Sequence, residues 1–495
     1  MDFANLKNYR ENNRLEAKSA LGGLPRSLWE TYSAFSNTSG GIILLGVLEH
    51  KDKTLHAENL PDPDKLINEF WTVIHNKNKV SVNILSDRHI SKMRLDGNTI
   101  IAITVPKAER FDRPVYIGAN PFDGTYRRNG EGDYKCSKEE VQAMLRDAAV
   151  KTQDMLVLKE MRLNVLDYDS LHRYRNRMKN YRPGHVWEEL DDDEFLYRLG
   201  AAARSEDGAI HPTAAGLLMF GYEYEIVKEY PNYFLDYQER MDDSTRWTDR
   251  IVSSSGDWSG NIYDFYFRVY NKLTQDVKVP FKLEGGDRID DTPVHKALRE
   301  ALANCLINAD YYGRQGVVVI KDKKGVSFSN PGNFRIDIEV AKSGGVSDPR
   351  NSALIKMFNL IDIGERAGSG IPSILSAWER EGWGTPVIEE SFDPDRIKVT
   401  LDFKKGSDNP KKVAIKGGDN PKKVAIKSSD KIGVMQRKAV LKYLEDNEFI
   451  TTEKAAELLD VKTARARRIL SSLVEEGGLI AEGANRNRVY KLKSD

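Results

Sequence analysis

The chain has 495 residues, of which 40% are hydrophobic and 30% charged, and 75 basic residues balance 75 acidic ones. This composition predicts a globular protein of about three or four domains. No apolar run of about eighteen residues and no signal-peptide core occur, which excludes a spanning or secreted chain and predicts a cytoplasmic one. The two cysteines lack metal-ligand spacing, which fits a reducing compartment.

The N-terminal 150 residues begin with acidic residues that precede an apolar strand. Glu11 and Glu16 stand five residues apart, and an Asn-Thr-Ser-Gly-Gly segment leads into the buried-strand run Ile42–Val47. With a later Tyr-Arg-Arg-Asn-Gly segment, this pattern resembles the AlbA-like domain shared with Schlafen proteins. Some Schlafen proteins cut RNA, which implies that Glu11 and Glu16 bind a catalytic metal ion. Glu49 or Asp52 is then the third acid, whereas the alternative is a binding module with ordinary exposed charges.

The same module carries cations suited to nucleic acid. Arg127 and Arg128 follow a strand and can make bidentate contacts with phosphate, and the neighbouring Tyr126 can stack on a base. We therefore predict that Lys18, Arg127 and Arg128 contact nucleic acid, either RNA or a single strand.

A helix over Lys138–Lys151 predicts the end of this module near residue 150. Ser137 caps the helix, and Glu140 stands three residues on, as in a capping box. Residues 151–285 form a connecting α/β region. Within it, His211–Gly221 reads as a short helix that runs into an apolar strand or turn, and we expect it to serve packing.

The segment Leu298–Tyr311 predicts a helix with a polar stripe. Glu300, Asn304 and Asn308 recur every four residues and therefore share one face beside apolar side chains. A buried carboxylate needs a partner, and a divalent cation bound with a phosphate would supply one. The alternative is a polar stripe that binds nothing.

Two strands and several glycines follow this helix. Val317–Lys321 and Gly325–Phe328 read as a hairpin. Glycines before a helix let the backbone approach an anion and direct free amides at it. The turn and glycine positions are Asn330, Gly332, Gly364, Gly368 and Gly370.

This order of helix, hairpin and glycines resembles the ATP-binding domain of the gyrase, histidine-kinase and MutL superfamily (GHKL), in particular its helicase-like regulator branch. The resemblance implies ATP and Mg²⁺ as cofactors, Glu300 as general base and Asn304 as magnesium ligand. It also implies nucleotide contacts from Asn308, Asn330 and the glycines. Asn330 stands where an aspartate is usual, and Asn308 where many members have a histidine. The sequence therefore supports ATP binding more strongly than hydrolysis.

The C-terminal residues are basic. Residues 406–495 hold 19 Lys or Arg against 13 Asp or Glu, a net charge of +6. Residues 406–433 repeat a nine-residue unit and predict a flexible tether. Residues 434–495 predict a winged helix-turn-helix that resembles those of bacterial transcriptional regulators; protein contact is the alternative to DNA binding. The arginines expected at the DNA are Arg465, Arg467, Arg468, Arg486 and Arg488.

We therefore predict an α+β multidomain protein with an AlbA-like α/β module (1–150), a connecting region (151–285), a GHKL-like α/β sandwich (286–405), a tether and a winged helix. The predicted function is an ATP-binding, DNA-binding transcriptional regulator of bacterial type. The alternative is an ATP-regulated, metal-dependent nuclease for RNA or DNA, for instance in phage defence. A helicase motor is not expected, because the Gly-x4-Gly-Lys-Ser/Thr phosphate loop is absent. We expect a homo-oligomer and no membrane partner.

Overall fold

A computed structural model divides the chain into two compact units, 1–410 and 411–495, which are described separately. The described residues of the first unit are 6, 9–206, 208–242, 246–275, 282–284, 287–289, 292–364, 368–392 and 394–403. Those of the second unit are 443–444, 447, 449–458, 463, 466, 470, 474, 479–482 and 489–492. None of the helices within these ranges is both long and apolar enough to cross a bilayer.

The N-terminal part of the first unit is built on a mixed sheet. Its elements in chain order are β1 (Leu15–Lys18), α1 (Ser27–Asn37), β2 (Gly41–Leu45), β3 (Val47–Glu49), β4 (Leu55–Ala57), α2 (Pro63–Ile74), β5 (Ile90–Leu95), β6 (Asn98–Val105), α3 (Pro121–Gly124), β7 (Tyr126–Asn129), β8 (Gly132–Lys135) and α4 (Lys138–Ala148). The sheet order is β1-β2-β6-β5, with β1 parallel to β2. Alternate residues of a strand, such as Ile43 and Leu45 of β2, bury one face in a core that also contains Tyr32 of α1 and Phe70 of α2.

The capping box predicted for α4 is present. The Ser137 hydroxyl accepts from the backbone N–H of Glu140, and the Glu140 carboxylate accepts from the backbone N–H of Ser137 at 2.7 Å. The helix ends at Ala148, three residues earlier than predicted.

The connecting region is mainly helical. Its described elements are α5 (Tyr168–Tyr181), α6 (Asp192–Leu199), β9 (Ala202–Arg204), β10 (Ile210–Pro212), α7 (Ala214–Phe220), α8 (Glu223–Glu229), β11 (Leu235–Arg240), β12 (Asp249–Val252), α9 (Ile262–Thr274), β13 (Lys282–Glu284) and β14 (Asp287–Ile289). The short helix predicted within His211–Gly221 is α7, which follows the strand β10 and ends before Gly221, a residue in an extended conformation that bridges to Leu166. The Thr213 side chain accepts from the backbone N–H of Gly216 and so caps α7, which is fully buried as expected for a packing element.

The remaining elements of the first unit complete a second, larger sheet. They are α10 (Pro293–Ile307), β15 (Val317–Asp322), β16 (Gly325–Pro331), α11 (Ile338–Ser343), α12 (Ser352–Leu360), α13 (Gly370–Glu381), β17 (Val387–Phe392) and β18 (Asp395–Asp402). The sheet order is β12-β11-β15-β16-β18-β17. β11 pairs in parallel with β15, so this sheet crosses the domain boundary predicted at residue 285. One hydrophobic core accordingly extends from Leu158 to Leu401.

In the second unit, the described residues form a small antiparallel sheet and one helix. The elements are β19 (Ile450–Thr451), α14 (Thr452–Leu458), β20 (Leu479–Glu482) and β21 (Val489–Leu492). The sheet order is β19-β21-β20, so the two C-terminal strands pair as predicted. Leu444, Ala455, Leu470 and Tyr490 share its core. The winged helix-turn-helix itself stays a prediction, since the arginines assigned to DNA contact, Arg465, Arg467, Arg468, Arg486 and Arg488, lie outside the described residues.

Candidate functional site

The polar stripe of α10 is the starting point of the candidate site. Thr292 caps the helix and Pro293 occupies its first position, which suits the fixed φ of proline. One turn apart on the cleft side, the Asn304 carboxamide nitrogen donates to the Glu300 carboxylate at 3.1 Å. Leu298 and Leu302 are fully buried in the core, which fixes the rotation of the helix. The spacing of four residues therefore brings Glu300 and Asn304 together as predicted.

The N-terminus of α13 lies directly against this pair. A Cβ added to Gly370 would be only 2.3 Å from a carboxylate oxygen of Glu300 and 2.7 Å from the carboxamide nitrogen of Asn304. Only glycine allows the backbone to approach so closely. The first turn of a helix has backbone N–H groups without partners in the helix, and its dipole is positive at this end. This junction can thus offer both oxygen ligands and amide donors to a phosphate-bearing ligand.

Of the other predicted glycines, Gly368 lines the same cleft, whereas Gly332 and Gly364 are not among its lining residues. Gly368 has φ +70, and an added Cβ would be 2.4 Å from the carbonyl oxygen of Val346. Gly332 has φ +105, and its Cβ would be 2.9 Å from the guanidinium of Arg350. Gly364 also has a positive φ, but more space around it. Glu365–Ala367, within the same glycine-rich segment, lie outside the described residues.

The cleft combines this polar end with an apolar lining. Phe328, Ile397 and Val399 contribute from β16 and β18, and Ile374 contributes from α13. Apolar walls with a few polar groups are typical of small-molecule sites. The polar side chains that line the cleft are Glu300, Asn304, Asn308, Asn330, Asn333, Arg335, Ser347, Asp348 and Arg350.

Asn308 and Asn330 are in the cleft but also stabilise its walls. The Asn308 carboxamide nitrogen donates to the carbonyl of Asn304 at 3.0 Å, and its side-chain oxygen accepts from the backbone N–H of Arg350. The Asn330 side chain donates to the carbonyls of Asn308 and Pro331, at 3.4 Å and 3.2 Å. Asn351 donates to the carbonyls of Ile307 and Ala309 beyond the end of α10. These bonds anchor the residues beyond α10 to the neighbouring segments.

The buried charges behind the cleft were not predicted from the sequence. Asp147 of α4 accepts hydrogen bonds from Arg335, at 3.0 Å, and from Arg350, and both arginines line the cleft. Burial raises the pKa of the Asp147 carboxyl, but the charges of Arg350 and Arg335 outweigh it and lower the pKa from 3.8 to about 2. Arg110 also donates to Asp348 at 2.6 Å. Partners about two hundred residues apart leave no local signal in the sequence.

The cations predicted in the N-terminal module are buried in ion pairs. Neighbouring residues of β7 point to opposite faces, so Arg127 and Arg128 find different partners. Arg127 donates to both carboxylate oxygens of Asp395. Arg128, whose side chain is 0% exposed, pairs with Glu16 at 2.8 Å and with Asp133 at 2.9 Å. This placement disagrees with the predicted phosphate contacts, because these guanidinium groups already have carboxylate partners away from solvent.

The predicted acids of this module lie near one another but are partly neutralised. Burial raises the pKa of Glu11, and the charges of Glu16 and Glu49 raise it further. Lys18 pairs with Glu16 at 2.8 Å and is mostly buried, while Lys53 pairs with Glu49 at 3.2 Å. In the described part of the chain, no group of three or more His, Cys, Asp or Glu side chains is arranged to bind a metal ion.

Three segments of the chain match known families. Residues 11–137 match the family described as Schlafen, AlbA_2. Residues 317–401 match the family described as putative ATP-dependent DNA helicase recG C-terminal. Residues 142–236 match a domain of unknown function, DUF8451. The first two matches support the resemblances drawn from the sequence and suggest a protein that associates with nucleic acid and binds ATP.

The chain also matches solved structures, among them the following two. The DIP2311 protein from Corynebacterium diphtheriae is 18% identical over 97% of this chain and 92% of its own, with a TM-score of 0.40. The N-terminal domain of a putative ATP-dependent DNA helicase RecG-related protein from Nitrosomonas europaea is 29% identical over 26% of this chain and 88% of its own, with a TM-score of 0.21. No curated protein matches the chain.

Proposed function

We propose that this chain binds ATP with Mg²⁺ in the cleft beside α10 and binds DNA as a transcriptional regulator. The observation that carries the ATP site is the contact of Gly370 with Glu300 and Asn304, because it joins a carboxylate, a carboxamide and a helix N-terminus in one cleft. These are oxygen ligands for Mg²⁺ and amide donors for phosphate. The apolar residues of the same cleft supply a surface for a base.

The residues of the cleft fit this pair of ligands. A side chain at position 370 would occupy the space beside Glu300, so the glycine keeps that space available to a ligand. Asn304 would hold the metal through its carboxamide oxygen, since its nitrogen already donates to Glu300. Glu300 orients Asn304 and is the group that would accept a proton from an attacking water. Bound Mg²⁺ would offset phosphate charge.

The DNA-binding half of the proposal is supported by the charge of the C-terminal residues and by the paired strands β20 and β21. In a winged helix, the third helix enters the major groove and the wing contacts the backbone. Arg465, Arg467 and Arg468 would then contact base edges, and Arg486 and Arg488 would contact phosphate.

Nucleotide binding and DNA binding are tested separately. Calorimetric titration of the full chain with ATP should show binding that weakens when Mg²⁺ is removed with EDTA. A variant that ends at residue 405 should bind ATP as the full chain does but lose binding to duplex DNA. Absence of ATP binding by the full chain would overturn the first assignment. Full duplex affinity in the shortened variant would overturn the second.

A second candidate function is metal-dependent cleavage of nucleic acid by Glu11 and Glu16, and it is favoured by the match of residues 11–137 to the family described as Schlafen, AlbA_2. The raised pKa of Glu11 reflects burial and the nearby charges of Glu16 and Glu49, and a cation would relieve this repulsion. Incubation of the full chain with labelled RNA and single-stranded DNA plus Mn²⁺ tests it. Cleavage by the wild type that is lost in Glu16→Gln would support the nuclease, whereas intact substrates would exclude it.

A further inference from the structure

A groove on the connecting region lies apart from the residues that line the candidate ATP cleft. Two adjoining concavities share Arg177, Tyr181 and Phe267 and together run along α5 and α9 to the first half of α10. Residues 237–316, which include α9 and α10, lie between the segments that match known families. Neither the ATP cleft nor the predicted DNA-binding residues account for this groove.

The groove is strongly basic. Among the described residues that line it, the arginines are Arg173, Arg177, Arg268 and Arg299, and the only acid is Asp264. Arg173 donates to both oxygens of Asp264, at 2.8 Å and 2.9 Å, which neutralises one charge of each sign. Arg177 and Arg268 add further positive charge along α5 and α9. Positive charge of this kind within one groove attracts a polyanion.

The groove also presents flat surfaces. The guanidinium of Arg177 lies over the ring of Phe267 at 3.9 Å, a stacked pair with a planar outer face. Tyr181 at the end of α5 is 47% exposed, so its ring is accessible from the groove. Exposed aromatic rings and guanidinium planes stack on unpaired bases, and the bases of a duplex are not available for this contact.

From this combination of charge and flat surfaces we infer that the groove between α5 and α9 binds single-stranded nucleic acid. Arg177 and Arg268 would contact the phosphates, and Tyr181 would stack on a base. The inference names a surface for the nucleic-acid association proposed above, but it does not depend on the ATP site or on the C-terminal unit.

The test uses the full chain and a fluorescein-labelled fifteen-nucleotide oligothymidylate, followed by fluorescence anisotropy at low and moderate salt. The double variant Arg177→Ala, Arg268→Ala should bind about tenfold or more weakly and show a flatter salt dependence. Tyr181→Ala should weaken binding several-fold, and Tyr181→Phe should retain it, because phenylalanine preserves the stacking surface.

A matched control is available on another surface. Arg204 is also exposed and also lies over an aromatic ring, that of Tyr197 at 5.4 Å, but it does not line the groove. Arg204→Ala should bind the oligothymidylate as the wild type does. An oligouridylate of the same length should also compete for the groove, since it shares the phosphates and the unpaired bases. A wild type that binds neither strand, or groove variants with wild-type affinity, would overturn the inference.

The result of this binding test can be distinguished from the results of the ATP and duplex DNA tests of the proposed function. The groove variants should keep wild-type affinity for ATP and for duplex DNA, since their side chains line neither site. Loss of all three activities together would show that the variants disturb the fold and would contradict the assigned contacts. Binding of the oligothymidylate by a chain that does not bind ATP would support the groove and refute the ATP site.

Discussion

Asp147 and Arg350 form a buried ion pair across 203 positions of the chain. Asp147 lies near the end of α4, whereas Arg350 lines the candidate ATP cleft and also donates to the carbonyl of Asn333 at 3.0 Å. Arg335 donates to the same carboxylate. The wall of the cleft is therefore fixed by a charge that belongs to the N-terminal part of the chain.

Removing this charge should destabilise the first unit. Asp147→Asn leaves Arg335 and Arg350 buried without their counter-charge, which should lower the free energy of unfolding by about 3–5 kcal/mol. Urea denaturation followed by circular dichroism measures the change. Glu139 lies on the same helix as Asp147 and forms an exposed ion pair with Arg314. As a control, Glu139→Gln removes this exposed pair and should leave the unfolding midpoint unchanged. Equal stability of Asp147→Asn and wild type would contradict the assigned role.

The same carboxylate should make stability depend on pH. Its pKa is 3.8 in the unfolded chain and about 2 in the folded one, so its contribution is complete above pH 3.8 and is lost as the pH falls through 2. Between pH 5 and pH 2.5, the stability difference between wild type and Asp147→Asn should shrink by roughly 1–2 kcal/mol. Denaturation curves of both proteins across this range provide the measurement. A difference that stays constant with pH would count against the depressed pKa.

Arg128 should contribute to the stability of the fold rather than to nucleic-acid binding. Arg128→Met leaves the carboxylates of Glu16 and Asp133 without the guanidinium, and we expect a loss of about 2–4 kcal/mol in unfolding free energy. At a temperature where the variant is folded, its affinity for oligothymidylate should equal that of the wild type. Unchanged stability together with weakened oligonucleotide binding would restore the phosphate-contact prediction.

Local features of the sequence were sufficient for many elements. The spacing of Glu300 and Asn304 placed both on one helix face, and the hairpin of β15 and β16 followed from two short strand-like runs joined through Asp322–Lys324. The capping box at Ser137 set the start of α4. Each of these depends on residues within one or two turns of each other, where periodicity and capping chemistry act directly.

Features that depend on distant partners were not predictable in this way. β11 pairs with β15 in parallel, about eighty residues further along the chain, so one sheet joins residues on both sides of the boundary predicted at residue 285. Arg127 and Arg128 looked like exposed phosphate ligands because their partners Asp395 and Glu16 come from elsewhere in the chain. A sequence shows that a charge exists but not which other charge the fold brings to it.

The close approach at Gly370 gives a prediction for the ATP site. Gly370→Ala would place a methyl group against Glu300 and Asn304 and should reduce ATP affinity about tenfold or more, while the fold stays intact. Gly384→Ala is the matched control, because an added Cβ there meets nothing within 4 Å. Calorimetric titration with ATP and Mg²⁺ compares the two variants. Equal affinities would show that the space beside Gly370 is not used by the nucleotide.

Substitution of Asn304 tests the central claim most directly. Calorimetric titration of the full chain with ATP in the presence of Mg²⁺, and again in EDTA, gives the metal-dependent part of the affinity. Asn304→Ala should lose most of this metal-dependent part, because the carboxamide is the proposed magnesium ligand, whereas Glu300→Gln should keep ATP binding and lose any hydrolysis. An Asn304→Ala protein with a wild-type circular dichroism spectrum and wild-type affinity for ATP with Mg²⁺ would contradict this claim.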